Sequence, residues 1–214
     1  MIYKAIKDKE PMTFVRGVST LHDTIHPIVT TLLNSLEVRL ALIRYHSEAV
    51  ASLSVSLAKV LGWKGEDLEM LEVAALLHDV GKVALPDAIL RKSQALSPSD
   101  WDIIRLHPYF SVYILEPLEV FEKIVPWIYH HHENWDGTGY PSGLKGDDIP
   151  MAARFISIAD AFHAMTTERI YHEALSVEDA LAEIRRCTGE RFDPEIAGVF
   201  IEVIKSLVLV GGRD

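Results

Sequence analysis

Six segments of this chain carry residues of metal-ligand type. One is the run His130-His131-His132-Glu133-Asn134-Trp135-Asp136, which leads into the turn Gly137-Thr138-Gly139-Tyr140-Pro141. A second, His78-Asp79-Val80-Gly81-Lys82, closes an apolar stretch upstream. Histidine is the commonest metal ligand, and aspartate and glutamate are its natural oxygen partners. The remaining candidates are single residues, and each has a bland reading. His46 lies on a long apolar helix, where a lone histidine is more often core or surface. His107, before Pro108, sits at an expected helix C-terminus, which favours histidine through the helix dipole in any case. Asp160 is more telling. It lies within Ile156-Ser157-Ile158-Ala159-Asp160-Ala161-Phe162, and a carboxylate buried there is costly unless paired or bound to metal.

The ensemble says more than any member. It offers imidazole nitrogen and carboxylate oxygen only, a set that suits six-coordinate Fe, Mn, Co or Ni better than a thiolate-rich structural zinc. Adjacent His78 and Asp79 can serve two metals if Asp79 bridges them. Two ions about 3.5–4 Å apart clamp the attacking and leaving oxygens of a phosphoryl displacement. The chemistry expected is therefore metal-assisted phosphate hydrolysis.

The elements that must position these residues read as helices almost throughout. Leu21, Ile25, Val29, Leu32 and Leu36 recur on one helical face, and the pattern runs on through Leu40, Ile43, Val50, Leu53, Leu57 and Leu61 to a stop at Gly62. Glu66 to His78 reads as a helix. Ser97-Pro98 starts another, expected to reach about His107. Residues 117–132 suggest a helix that ends in the histidine run. Glu133 to Asp148 is a loop, since Gly137, Gly139, Pro141, Gly143 and Gly146 forbid regular structure. Ile149-Pro150 opens a helix to about Thr166, Ser176 caps another, and Asp193-Pro194-Glu195 starts the last. No strand alternation or repeat is evident, so the fold class is all-α. Residues 1–17 have no assignment.

Length and charge bound the partners. With 214 residues, 49% of them hydrophobic, the chain can build one cored domain with a small N-terminal appendage. No run approaches the roughly 20 apolar residues of a membrane span. The start, Met1-Ile2-Tyr3-Lys4, lacks a signal peptide, so the expected location is cytoplasmic. Cys187 is the only cysteine, which excludes an intrachain disulfide and a thiolate zinc cage. A net charge of −10 argues against duplex nucleic acid, and bound divalent ions would make the pocket locally positive.

The order His46, His78-Asp79-Val80-Gly81-Lys82, His107, His131-His132-Glu133, Asp136 to Pro141, and Asp160 resembles the HD-GYP family. This is the branch of the HD metallophosphohydrolases that cleaves cyclic di-GMP. The resemblance runs from about residue 40 to 200. It implies an HD-domain helical bundle with additional C-terminal helices over residues 40–214, preceded by a partly helical segment 1–39. It also implies two divalent ions, Fe or Mn, and a cyclic dinucleotide cleaved to linear pGpG, with onward cleavage to GMP open. By the same resemblance His46, His78, Asp79 and Asp160 hold one metal, and His107, His131 and His132 the second. Asp79 bridges the two and, with Lys82, is catalytic. Lys82, Tyr140, Arg169 and His172 contact substrate. His130 falls outside the motif and reads as a helix-end surface residue.

Two departures stand out. Some members carry a glutamate four residues before the first histidine, where it supports a third metal. Here Leu42 takes that place, one helical turn from His46, and is expected to close that side with hydrocarbon. The family usually follows its arginine with Pro-Tyr and a cation, where this chain reads Arg169-Ile170-Tyr171-His172. A non-catalytic nucleotide- or metal-sensing module that signals to a partner protein is the competing class. A hydrolase of other nucleotides is a third, disfavoured by the Gly139-Tyr140-Pro141 loop.

Overall fold

The computed structural model describes residues 20–40, 42–92, 94–168 and 173–211. Ten α-helices follow one another there: α1 (Thr20–Glu37), α2 (Ile43–Val60), α3 (Glu66–Leu77), α4 (Asp87–Leu90), α5 (Pro98–Ile104), α6 (His107–Leu115), α7 (Val125–Tyr129), α8 (Met151–Thr166), α9 (Val177–Arg186) and α10 (Pro194–Gly211). Short 3₁₀ turns lie at Val80–Ala84, Glu119–Phe121 and Gly146–Asp148. The all-α expectation holds. Among the described residues the only β feature is an isolated bridge between Thr188 and Phe192. Residues 1–17, Arg169 and His172 lie outside the described residues.

Helix α2 is the central post. It packs against α3, α8, α1 and α10. Its buried face carries Val50, Ala51, Leu57 and Ala58, none of them exposed to solvent. Trp63, just beyond its end, meets Trp127 and Phe155 edge-on at 6.0 and 5.2 Å. Helix α8 is buried along most of its length, from Ala152 through Phe162. A site placed between α2 and α8 therefore stands on rigid walls. No helix among the described residues is long and apolar enough to cross a membrane.

The long apolar stripe from Leu21 to Leu61 is not one helix. It breaks at Val38–Leu42, and Leu42 takes a left-handed φ of 69° as the N-cap of α2. Contacts distant in sequence hold this corner. Arg39 reaches back to the Val83 and Leu85 carbonyls and to Asp87, while Arg44 binds Glu37 and Asn34 across the turn. The break folds α1 back so that Ile25, Val29 and Leu33 join the same core as α2 and α3. Leu42 is consequently 71% exposed, so it does not wall the His46 site with hydrocarbon as its sequence position predicted.

The helix expected over 117–132 is also absent. Leu118 is extended, a 3₁₀ turn follows, and only Val125–Tyr129 is α-helical. Pro117 and Pro126 each lack a backbone N–H to donate to a helix. Phe121, Ile124 and Ile128 mimic helical spacing but are core residues reached by an irregular path. Helix α5 likewise stops at Ile104, and Pro108 lies in the first turn of a separate helix α6. The caps read from sequence are present. Ser97 forms a capping box with Asp100, Ser176 Oγ accepts from Asp179 N, and Asp193 Oδ1 accepts from Glu195 N at 2.8 Å.

Candidate metal centre

Helix ends deliver most of the candidate ligands. His78 follows α3 directly and Asp79 precedes the 3₁₀ turn that holds Lys82. His107 opens α6, and His131 and His132 follow the end of α7. The last four carbonyls of a helix have no intrahelical partner. Three of these histidines use them. Nδ1 of His78, His107 and His131 lies 2.7, 2.7 and 2.5 Å from the carbonyl three residues earlier, those of Ala75, Ile104 and Ile128. An imidazole that donates Nδ1–H to a carbonyl presents a bare Nε2 lone pair on its other side.

Those lone pairs converge in two groups. Nε2 of His107 is 3.4 Å from Nε2 of His131 and 3.2 Å from Nε2 of His132. The second group contains His46, His78 and Asp79. Asp160 joins it from α8, with Oδ1 3.2 Å from His46 Nε2. Asp79 stands between the groups. Its Oδ2 faces His78 Nε2 at 3.4 Å and His46 Nε2 at 3.8 Å, and its Oδ1 faces His107 Nε2 at 3.4 Å. Lys82 Nζ lies 2.6 Å from the same Oδ2. The structure thus brings together all seven predicted ligands and Lys82.

Burial sets the protonation of these groups. Desolvation, with neighbouring positive groups, lowers His107 to about 4 and His131 to about 3, and holds His132 well below its ordinary value. His78 goes the other way. Burial lowers it, but the adjacent Asp79 and Asp160 carboxylates outweigh burial and raise it above 6.5. Burial would raise Asp79, yet Lys82, His78 and His107 hold it well below 3.8. Near pH 7 the pocket therefore presents neutral imidazoles at His107, His131 and His132 and a carboxylate anion at Asp79.

These residues fit divalent cations. Within the centre His78 Nε2 and Asp79 Oδ1 are buried with no hydrogen-bond partner, an arrangement that costs about 1–3 kcal/mol per group, and more where charged, unless something answers them. Imidazole lone pairs facing one another at 3.2–3.4 Å repel unless a proton or cation lies between them. The donors are nitrogen and oxygen throughout, while Cys187 lies instead against Glu183 and Arg186.

The loop after His132 completes one side. Tyr140 N donates to the His132 carbonyl, and the Tyr140 ring stacks on His132 with centroids 4.8 Å apart. The Arg105 guanidinium lies 5.6 Å from the Tyr140 ring centre. Burial, and then the negative charge of Asp79 and Asp160, push the Tyr140 hydroxyl well above its ordinary value, so it is a donor rather than a base. Gly139 is required by space: a Cβ there would meet Asn134 N at 2.2 Å. The loop is latched to the C-terminal turn. Trp135 N and Asp136 N donate to the Arg191 and Glu190 carbonyls. Arg154 sits over Trp135 and pairs with Asp193 at 2.7 Å.

Several contributors were not legible as such. Ser111 Oγ accepts from Gly81 N at 2.9 Å and donates to the His78 carbonyl at 3.2 Å, tying α6 to the His78-Asp79 turn. His130, expected at the surface, is largely buried, with Nδ1 3.3 Å from Glu133 Oε1. Glu133 is itself buried and accepts from Ser142 N. His163 lies against His46, with the two Nδ1 atoms 2.9 Å apart, and its one available signal was a second ionisable residue three positions after Asp160 in an apolar helix.

A family description, HD domain, matches residues 30–196, and the chain belongs to that family. The HD-GYP recognition made on the motifs stands with it. The chain is 35% identical over 187 residues to a 3′3′-cGAMP-specific phosphodiesterase of Vibrio cholerae, covering 85% of this chain and 35% of that protein. It is 33% identical over 171 residues to a cyclic di-GMP phosphodiesterase of Thermotoga maritima, covering 79% of this chain and 46% of the relative. The chain thus spans less than half the length of these curated relatives. A solved HDG"Y"P protein from Bdellovibrio bacteriovorus superposes with a TM-score of 0.64 at 21% identity, over 95% of this chain and 69% of that one, and supports the fold.

Proposed function

We propose that this chain is a metal-dependent cyclic dinucleotide phosphodiesterase that opens cyclic di-GMP to linear pGpG at a binuclear centre. One observation carries the reading: the Asp79 carboxylate offers one oxygen to each of two imidazole clusters. His46, His78, Asp79 and Asp160 would hold one divalent ion and His107, His131, His132 and Asp79 the other, with Fe or Mn first on the family resemblance. Such ions supply Lewis acidity and lower the pKa of bound water.

The protein's own groups do the rest. Lys82 sits at the edge of the centre, where an ammonium can hold a phosphate oxygen or stabilise a departing one. Tyr140 keeps its proton and donates, and its ring fixes the His132 plane. Asp160 and His46 are 18% and 12% exposed, so the first cluster is open enough for substrate to reach it. Arg169 and His172 are proposed as further phosphate or base contacts. The relatives' names divide between cyclic di-GMP and the guanine–adenine hybrid, and we place cyclic di-GMP first on the motif resemblance. The full donor set favours catalysis over a non-catalytic sensor.

The test is turnover of both dinucleotides by anaerobically purified protein loaded with Mn²⁺ or Fe²⁺, with products separated by chromatography. Linear dinucleotide is expected, from cyclic di-GMP in preference. Asp79→Asn should lower the rate by at least about 100-fold and reduce metal at both positions, since even outer partners of a ligand are worth 10–100-fold. A metal-replete protein inert towards both substrates would overturn the reading.

A further inference from the structure

Three ligand histidines at helix ends, His78, His107 and His131, have a carbonyl to hold Nδ1. His46 does not have that option. It sits in the first turn of α2, a helix that continues to Val60, and interior carbonyls of a helix are spent on the ladder. Its Nδ1 instead lies 2.9 Å from Nδ1 of His163, a residue 117 positions away on α8. His163 is 7% exposed, its ring centroid is 5.0 Å from that of His46, and its Nε2 lies 3.2 Å from Thr167 Oγ1. Asp160 and His163 are three residues apart on one face of α8. Helix α8 therefore grips His46 at both ring nitrogens, Nε2 by Asp160 and Nδ1 by His163.

Two imidazole nitrogens at 2.9 Å must share one proton. Two lone pairs would repel, and two N–H groups would collide. The proton's side is fixed by what His46 does at Nε2. If that lone pair faces a cation, neutral His46 carries its proton on Nδ1 and donates it. His163 then accepts at Nδ1, which places its own proton on Nε2, aimed at Thr167 Oγ1. We infer that His163 is the positioning residue of the first metal cluster: it orients the His46 ring, selects its metal-binding tautomer, and is itself held by Thr167. This rests on the ligand reading proposed above but assigns a residue that lies outside that ligand set.

The 214-residue chain, labelled with ¹⁵N-histidine, is titrated with Zn²⁺, a diamagnetic ion that imidazole binds well. Long-range ¹⁵N–¹H spectra report each ring's tautomer. The expected result is His46 as Nδ1–H and His163 as Nε2–H in the Zn²⁺-loaded protein. His163→Phe keeps the ring's bulk and removes the acceptor. It should weaken Zn²⁺ at the His46 cluster about 10–100-fold, the usual cost of losing an outer partner, and leave the His107–His131–His132 cluster unchanged. His163→Asn, whose amide oxygen can accept the same proton, should restore most of the loss. His163 as Nδ1–H in the loaded wild type would overturn the inference, as would Zn²⁺ affinity at the His46 cluster unchanged by His163→Phe. If His163→Phe fails to fold, the wild-type tautomers decide alone. Failure of the wild type to bind Zn²⁺ at all would overturn the ligand reading as well, which separates the two failures.

Discussion

At the scale of single residues, the two clusters differ in how tightly they hold protons. A proton and a cation compete for the same lone pair, so a raised pKa means metal lost at higher pH. His78 is raised above 6.5 by Asp79 and Asp160 against the effect of burial, whereas burial brings His107 to about 4 and His131 to about 3. Acidification from pH 7 should therefore empty the His46–His78–Asp160 side first. Metal per chain, measured after dialysis at stepped pH, should fall from two to one before reaching zero. Simultaneous loss would contradict this order. Tyr140 also separates two jobs. Tyr140→Phe keeps the stack on His132 and should leave metal content intact while weakening substrate binding through the lost hydroxyl. Tyr140→Ala should in addition loosen the second cluster, because the ring that fixes His132 is gone. Equal metal content in the alanine variant would show that the stack does not hold the ligand.

The helices decide whether these residues meet. Gly81 illustrates it: a Cβ there would lie 2.1 Å from the His107 carbonyl and 2.4 Å from Ser111 N, both backbone atoms that cannot step aside. Gly81→Ala should force α6 from the His78-Asp79 turn, destabilise the protein by about 1–3 kcal/mol or more, and lower metal content without touching a ligand. Thermal unfolding and metal analysis together test this; an unchanged midpoint would mean the turn can yield. The sequence disclosed the parts of this scale that are local. Ser97, Ser176 and Asp193 announce their helices because a cap acts within three residues. The seven proposed ligands could be picked out because their residue types and order are unusual together. The corner at Val38–Leu42 was not, since apolar spacing continues across it and its fasteners, Arg39 on Val83, Leu85 and Asp87, lie over forty residues away. The irregular path over 117–132 was hidden by Phe121, Ile124 and Ile128 at helix-like spacing, although Pro117 and Pro126 carried the contrary signal. His163 stayed silent because its meaning depends on a contact between helices.

For the molecule as a whole, helix α1 shares one core with the helices that carry the centre. Leu33 is 3% exposed within it. Leu33→Ala should cost about 2–5 kcal/mol and lower the temperature of a single unfolding transition, with metal content of the folded protein unchanged. Two separate transitions would mean that α1 melts apart from the rest. The latch between the Tyr140 loop and the C-terminal turn has a practical consequence. The turn is built on the Cys187 carbonyl, which accepts from Arg191 N and Phe192 N, and it carries the carbonyls that hold Trp135 and Asp136. Cys187 is the only thiol of the chain and is half-buried. Burial and Glu183 raise its pKa, so alkylation will be slow at neutral pH and faster in mild alkali. A fluorophore or spin label attached there would sit beside the fastening of the loop. The unaltered sequence thus already contains a single, site-specific reporter beside the fastening of the Tyr140 loop.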